Sequence, residues 1–190
     1  SVISIQTSSG KPLAVLANFS MHYHGAAGPA DYFGLFADRL AKRLESEGRA
    51  PVCAMSQGTS GDLHWMNYAK PSKGSNVSRY ADGLVQLAAQ ALDGIRYQDA
   101  PPLAMEQKII TLSRRLPDEE RLAWADKLLA NMKGRRPKSR PEVYAEQARF
   151  IDENPTEKLV LQTLRIGDLG ITTLPNEVYS ITGLKLKARS

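Results

Sequence analysis

Cysteine is almost missing: Cys53 is the only one in 190 residues. A single thiol excludes an intrachain disulfide and any zinc site built from several cysteines. It lies in the apolar stretch Pro51-Val52-Cys53-Ala54-Met55, the setting of a buried, inert thiol rather than of a nucleophile. Long apolar runs are missing too. None reaches the roughly 18 residues that a membrane-spanning helix needs, so no transmembrane segment is expected in this chain. Aromatic residues are scarce at 7% and do not alternate with the basic ones. The net charge of +5 and pI near 9.3 therefore describe a surface that attracts anions in general. They do not describe a nucleic-acid platform, and no nucleic-acid partner is expected. A targeting segment is also lacking. The chain opens directly into the strand pattern Val2-Ile3-Ser4-Ile5 and stops just past a helical stretch ending Lys187-Ala188-Arg189-Ser190. Both ends read as cut through a single longer domain, so native targeting and location stay open on this reading.

What is present is ordinary for a globular protein: 42% apolar and 24% charged residues, with enough length to bury one sizeable core. The opening reads as a hairpin, with a strand from Val2, a turn at Ser8-Ser9-Gly10-Lys11-Pro12 and a second strand over Leu13–Phe19. Six of the seven positions in that second strand are apolar, which predicts a strand buried on both faces. After a loop from Ser20 to Ala30, Asp31 is the expected N-cap of a helix ending at Gly48, with Tyr32, Phe36, Leu40 and Leu44 on its buried face. Pro51 to Ser56 reads as a buried strand and Gln57 to Gly61 as a turn. A loop over 72–76 leads to a helix over 77–92, with Tyr80, Leu84, Leu87, Ala88 and Ala91 inward.

The order strand, helix, strand, helix predicts an α/β fold with a mixed sheet flanked by helices. Further along, a strand is expected over 104–113, two helices over 118–132 and 141–152, a hairpin over 159–166 and 169–174, and a last helix over 177–187. The two middle helices form a helical insertion around 117–153. Between them the basic run 133–140, with Gly134 and Pro137, is expected to be an exposed, mobile connection away from any pocket.

Three segments hold chemistry. Asn18-Phe19-Ser20-Met21-His22-Tyr23-His24-Gly25 places two imidazoles past a buried strand, where α/β sheets bind ligands. On a continuing strand His22 and His24 would share a face; hydrogen-bonded loop histidines are the alternative. Ser56-Gln57-Gly58-Thr59-Ser60-Gly61-Asp62-Leu63-His64-Trp65-Met66-Asn67 also follows a strand. Its glycines admit close backbone approach, and Asp62 and His64 are suited to orienting a water or a ligand. A turn in which Asp62 caps free amides is the alternative. Leu174-Pro175-Asn176-Glu177 delivers a carboxylate to a predicted helix start, where it is held as an anion able to bind a metal; simple complementation of the helix dipole is the alternative. Ser60 misses the nucleophile-elbow pattern by one residue, because Asp62 stands where the second glycine belongs. The acceptor triplets at Asn18 and Asn76 are too short to weigh.

Taken in order, these segments resemble the neutral, non-lysosomal ceramidases, and more closely a bacterial ceramidase-like branch of unassigned substrate. Asn18-Phe-Ser-Met-His22 resembles that family's strand-end histidine motif, Ser56-Gln-Gly-Thr-Ser-Gly-Asp62 its segment ending in Gly-Asp, and Pro175-Asn-Glu177 its Pro-Gly-Glu segment. The resemblance implies a zinc-dependent hydrolase of an amide (N-acyl) bond, with His22 and Glu177 as metal ligands. It implies a second histidine upstream and a tyrosine downstream, a small-molecule N-acyl and possibly lipid substrate, and an extracytoplasmic setting. His24, Asp62 and His64 are then the candidates to orient substrate or shuttle protons. One departure stands out: His64 occupies the position of a family serine implicated in catalysis. The competing expectations are a serine hydrolase using Ser60 and a silent relative that only binds a ligand. With two of four ligands, the 190 residues alone are expected to bind zinc poorly and to be inactive.

Overall fold

A computed structural model of the protein describes all residues except 26, 27, 29, 72, 73 and 75. Parts of the expected loops 20–30 and 72–76 therefore lie outside the described residues. The chain divides into two compact units, residues 1–99 with 176–190, and residues 100–175.

In the first unit, β1 (Val2–Gln6) turns back into β2 (Pro12–Phe19), with Gly10 at φ +82° in the turn. The third strand, β3 (Val52–Gln57), runs parallel to β2, so that Leu16 faces Ile3 on one side and Ala54 on the other. A parallel pair needs a long crossover, and the intervening chain contains α1 (Asp31–Arg43). Helix α2 (Val77–Asp93) packs beside it. Their apolar faces meet one side of the sheet in a core of Val15, Ala17, Tyr32, Phe36, Leu40, Ala81, Leu84, Val85 and Ala88. The expected face of α1 is therefore the buried one.

That core corrects two expectations. β2 is not buried on both faces: Val15 is 2% exposed, but Leu16 is 39% exposed and Val52 beside that face 73%. Among the described residues, the core packing of α1 and α2 reaches only the Val15–Ala17 side. On α2 the inward face is rotated from the one expected, with Ala81 and Val85 buried and Leu87 exposed.

Helix ends also differ. Asp31 is the first residue of α1 and not its cap, at φ +47°. Its carboxylate accepts the backbone N–H groups of Tyr32 (2.7 Å) and His24 (3.0 Å), which ties the preceding loop to the helix. Helix α1 stops at Arg43, and beyond it Ser46 and Arg49 close a tight turn with Glu47 and Gly48 both at positive φ, the signature of a type I′ turn. Asn76 caps α2 by accepting the Arg79 N–H at 2.9 Å.

The second unit holds β4 (Leu103–Ser113), α3 (Glu119–Met132), α4 (Arg140–Glu153), β5 (Thr156–Ile166) and β6 (Leu169–Thr173). The three strands form an antiparallel sheet in the order β4-β5-β6. Gly167 sits at φ +59° in the β5–β6 turn, as the first central position of a primed turn requires. The helices pair through Ala125, Ala145 and Ala148, with Trp124, Leu128 and Leu129 against them. The helical insertion thus lies where expected. The architecture is α/β, but with two three-stranded sheets in place of one, and only the first is mixed. In the first unit, α5 (Ser180–Lys187) begins three residues later than expected, so Glu177 precedes the helix and does not open it. Among the described residues no helix is long and apolar enough to cross a membrane.

The basic run 133–140 is exposed almost throughout, and one residue organises it. Glu142 accepts both arms of Arg135 (2.6 and 3.1 Å) and the N–H groups of Lys138 (2.6 Å) and Ser139 (3.2 Å). The Arg135 bonds, then the Lys138 amide, pull its carboxyl from the ordinary 4.5 to about 2. A depressed carboxyl pKa adds stability that is complete above the unfolded value and lost as pH falls through the folded one. The thermal midpoint of the second unit should therefore drop between about pH 4.5 and 2, and Glu142→Gln should flatten that drop. An equal slope in the variant would show that the pairing contributes nothing.

Candidate functional site

β2 and β3 run parallel, so they finish on the same edge of the sheet, the edge where such folds bind ligands. Asn18 Nδ2 donates to Ser56 Oγ at 3.0 Å and joins the two strand ends. One step on, the Gly58 N–H donates to the Phe19 carbonyl at 2.9 Å. A side chain at 58 would collide with Ser20 Oγ, so glycine lets the two loops leave the sheet in contact.

The loop 58–62 then closes onto the segment leading into α5. The Gly61 N–H donates to the Val178 carbonyl at 3.0 Å. A Cβ at 61 would collide with the Glu177 carbonyl, and one at Gly183 with the side chain of Thr59. Asp62 completes the closure: Oδ1 accepts the Ser180 N–H at 2.6 Å and Oδ2 accepts the Ser180 hydroxyl at 3.1 Å. The Ser180 amide bond chiefly holds the Asp62 carboxyl below the usual carboxylate range. Asp62 therefore does structural capping, the alternative role open to it from sequence.

This closure brings Glu177 to His22, with Glu177 Oε1 3.8 Å from His22 Nε2. The His22 side chain is 26% exposed and that of Glu177 75%, so the pair faces solvent at the sheet edge. Zinc bonds of about 2.0–2.2 Å at roughly tetrahedral angles set two ligand atoms about 3.3–3.5 Å apart. The observed separation needs only a small closing movement, so the pair fits two positions of a zinc site. Among the described residues no group of three His, Cys, Asp or Glu converges on one point.

The other histidines have separate surroundings. β2 ends at Phe19, so the shared face that a continuing strand would have given His22 and His24 does not arise. His24 enters an aromatic cluster, with ring centroids 4.6 Å from Tyr80, 5.1 Å from Trp65 and 5.4 Å from Tyr32. Both of its ring nitrogens are buried and, among the described residues, have no hydrogen-bond partner. Burial lowers its pKa, Asp31 opposing and His64 assisting, so the ring is neutral at pH 7. His64 is exposed, and its Nδ1 accepts the Met66 N–H at 3.2 Å, which assigns the proton to Nε2. Ser60 is 2% exposed, accepts from Gln57 Nε2 at 2.7 Å and donates to the Gly58 carbonyl at 3.2 Å.

Sequence reasoning missed Trp65, Tyr80 and Tyr32 as the surroundings of His24, because they come from a loop and two helices. It also missed Ser180 and Gly183, whose roles exist only in the folded closure. No family model, curated protein or solved structure matches this chain.

Glycine substitutions test the closure by sign. Gly61→Ala should destabilise by about 1–3 kcal/mol through overpacking. Gly83→Ala, in an α2 position with nothing within 4 Å, should stabilise by about 0.4–1 kcal/mol through helix propensity and unfolded-chain entropy. Urea denaturation measures both; a neutral Gly61→Ala would mean that the loop is not pressed against Glu177.

Proposed function

We propose that this chain carries part of the zinc centre of a hydrolase that cleaves an amide (N-acyl) bond, with His22 and Glu177 as two of the metal ligands. The observation that carries the reading is the 3.8 Å approach of His22 Nε2 to Glu177 Oε1, across two segments far apart in the sequence. The resemblance to ceramidase-like proteins supports it, because the same two residues match family ligands. On this reading the remaining ligands, a histidine and a tyrosine, come from segments beyond these 190 residues.

Zinc in such a centre lowers the pKa of its bound water to about 7 and polarises the carbonyl to be attacked. The chain's own residues do the rest. His22 would present Nε2 to the metal and Glu177 its carboxylate. Asp62 keeps Glu177 in place through the Ser180 backbone and is a positioning residue, not a proton carrier. His64, with its proton on Nε2, can donate a hydrogen bond that orients a substrate oxygen. His24, neutral and enclosed by aromatic rings, is suited to orienting substrate. The substrate is a small N-acyl compound, with a lipid among the possibilities that the resemblance offers, and an extracytoplasmic setting rests on the resemblance alone.

Serine chemistry at Ser60 fits less well. Its hydroxyl is buried and donates to a carbonyl, and its other partner among the described residues is the Gln57 amide, not an imidazole. A serine nucleophile needs a base within hydrogen-bond reach.

Zinc titration by calorimetry tests the assignment. Two ligands leave most of the coordination to water, so the 190-residue chain should bind zinc weakly. His22→Ala and Glu177→Gln should each weaken binding by a further factor of about ten or more. In a chain extended at both ends, binding should become tight, and amide hydrolysis should be lost with a chelator. Zinc affinity unchanged in both variants would contradict the assignment.

A further inference from the structure

The loop that carries His22 also delivers His24 to a different place, an open groove of about 670 Å³. Small-molecule sites typically span about 300–1,000 Å³. Phe19, Trp65, Tyr80 and Leu84 supply apolar and aromatic lining, and α2 contributes Arg79. Two features of this groove are unspent. Both His24 ring nitrogens are buried without a partner among the described residues, which costs free energy unless a ligand or water supplies one. The Arg79 guanidinium likewise has no hydrogen-bond or ion-pair partner among the described residues, whereas Arg39 on the neighbouring helix is tied to Ser78 and Asp82. The described lining contains one arginine and no Asp or Glu. The nearby Asp31 carboxylate is outside it and accepts the amides of His24 and Tyr32.

We propose that this groove binds a small organic carboxylate. Its apolar or aromatic body lies against Phe19, Tyr80 and Leu84, its carboxylate meets Arg79, and a polar group meets the His24 ring. The charge balance selects an anion over a cation. A single arginine fork matches a planar, singly charged carboxylate better than a phosphate dianion, which draws several cations. The site is independent of the proposed zinc centre; where both hold, it receives the acid-bearing part of the N-acyl substrate.

The probe is phenylacetate, compared with phenethylamine and phenylacetamide, which keep the ring and change the charge. The chain has two tryptophans, so a Trp124→Phe background makes the emission report Trp65 alone. NMR follows the His24 Cε1–H and Trp65 indole signals. Phenylacetate should bind saturably in the millimolar range and shift both signals, with phenethylamine at least about tenfold weaker. Arg79→Gln, an exposed change, should weaken phenylacetate about tenfold and leave phenylacetamide unaltered. His24→Phe should weaken both by a smaller factor while keeping the ring packing. His22→Ala should leave phenylacetate binding unchanged while weakening zinc, which separates this proposal from the metal assignment. Equal binding of phenethylamine, an unchanged phenylacetate affinity in Arg79→Gln, or no saturable shift at His24 and Trp65 would overturn it.

Discussion

The grip of Asp62 on Ser180, with Gly61 pressed against the Glu177 carbonyl, is the interaction on which the rest of the site depends. Glu177 lies on an irregular stretch between a strand and a helix, and its side chain is 75% exposed. Its own neighbourhood contributes one tight turn, in which the Val178 N–H donates to the Asn176 carbonyl at 2.9 Å and fixes the backbone locally. The loop after β3 does so from the other side. Its amide at Gly61 and its carboxylate at Asp62 take hold one and three residues past Glu177. The hydrogen bonds are modest singly, about 0.5–1.5 kcal/mol each and more where a charge takes part. Their value lies in converting a floppy carboxylate into one aimed at His22.

The same economy explains why the three histidines behave differently although they lie close in sequence or in space. His22 meets a carboxylate and stays partly open to solvent. His24 is wrapped by Tyr32, Trp65 and Tyr80 and is held neutral by burial. His64 is exposed with its tautomer set by the Met66 amide. One residue type thus supplies a proposed ligand, a buried neutral hydrogen-bonding group and a surface donor, according to what surrounds each ring.

The fold class, the order of elements and the convergence of His22 with Glu177 were legible in the sequence. Tyr32, Phe36 and Leu40 at four-residue spacing point to one buried helix face, and all three are buried. Element ends were less legible. Asp31 has the chemistry of a cap, yet its carboxylate is drawn to the His24 amide, so the helix starts one residue early. Gly48 looked like a helix terminator, but the type I′ turn it makes with Glu47 begins after the helix has already stopped. Continuous apolarity in β2 did not reveal that one face lacks a cover among the described residues. Asp62 was open between water-orienting and capping roles, because the partner that decides, Ser180, stands far along the chain.

The central claim is that the closure holds Glu177 beside His22. It is tested most directly by a nuclear Overhauser measurement between the His22 ring protons and the Glu177 side-chain methylenes in the isotope-labelled protein, free of metal. The account predicts a cross-peak between them that disappears in Asp62→Ala. With both residues assigned and their other cross-peaks observed, absence of this one in the unsubstituted protein would contradict the account.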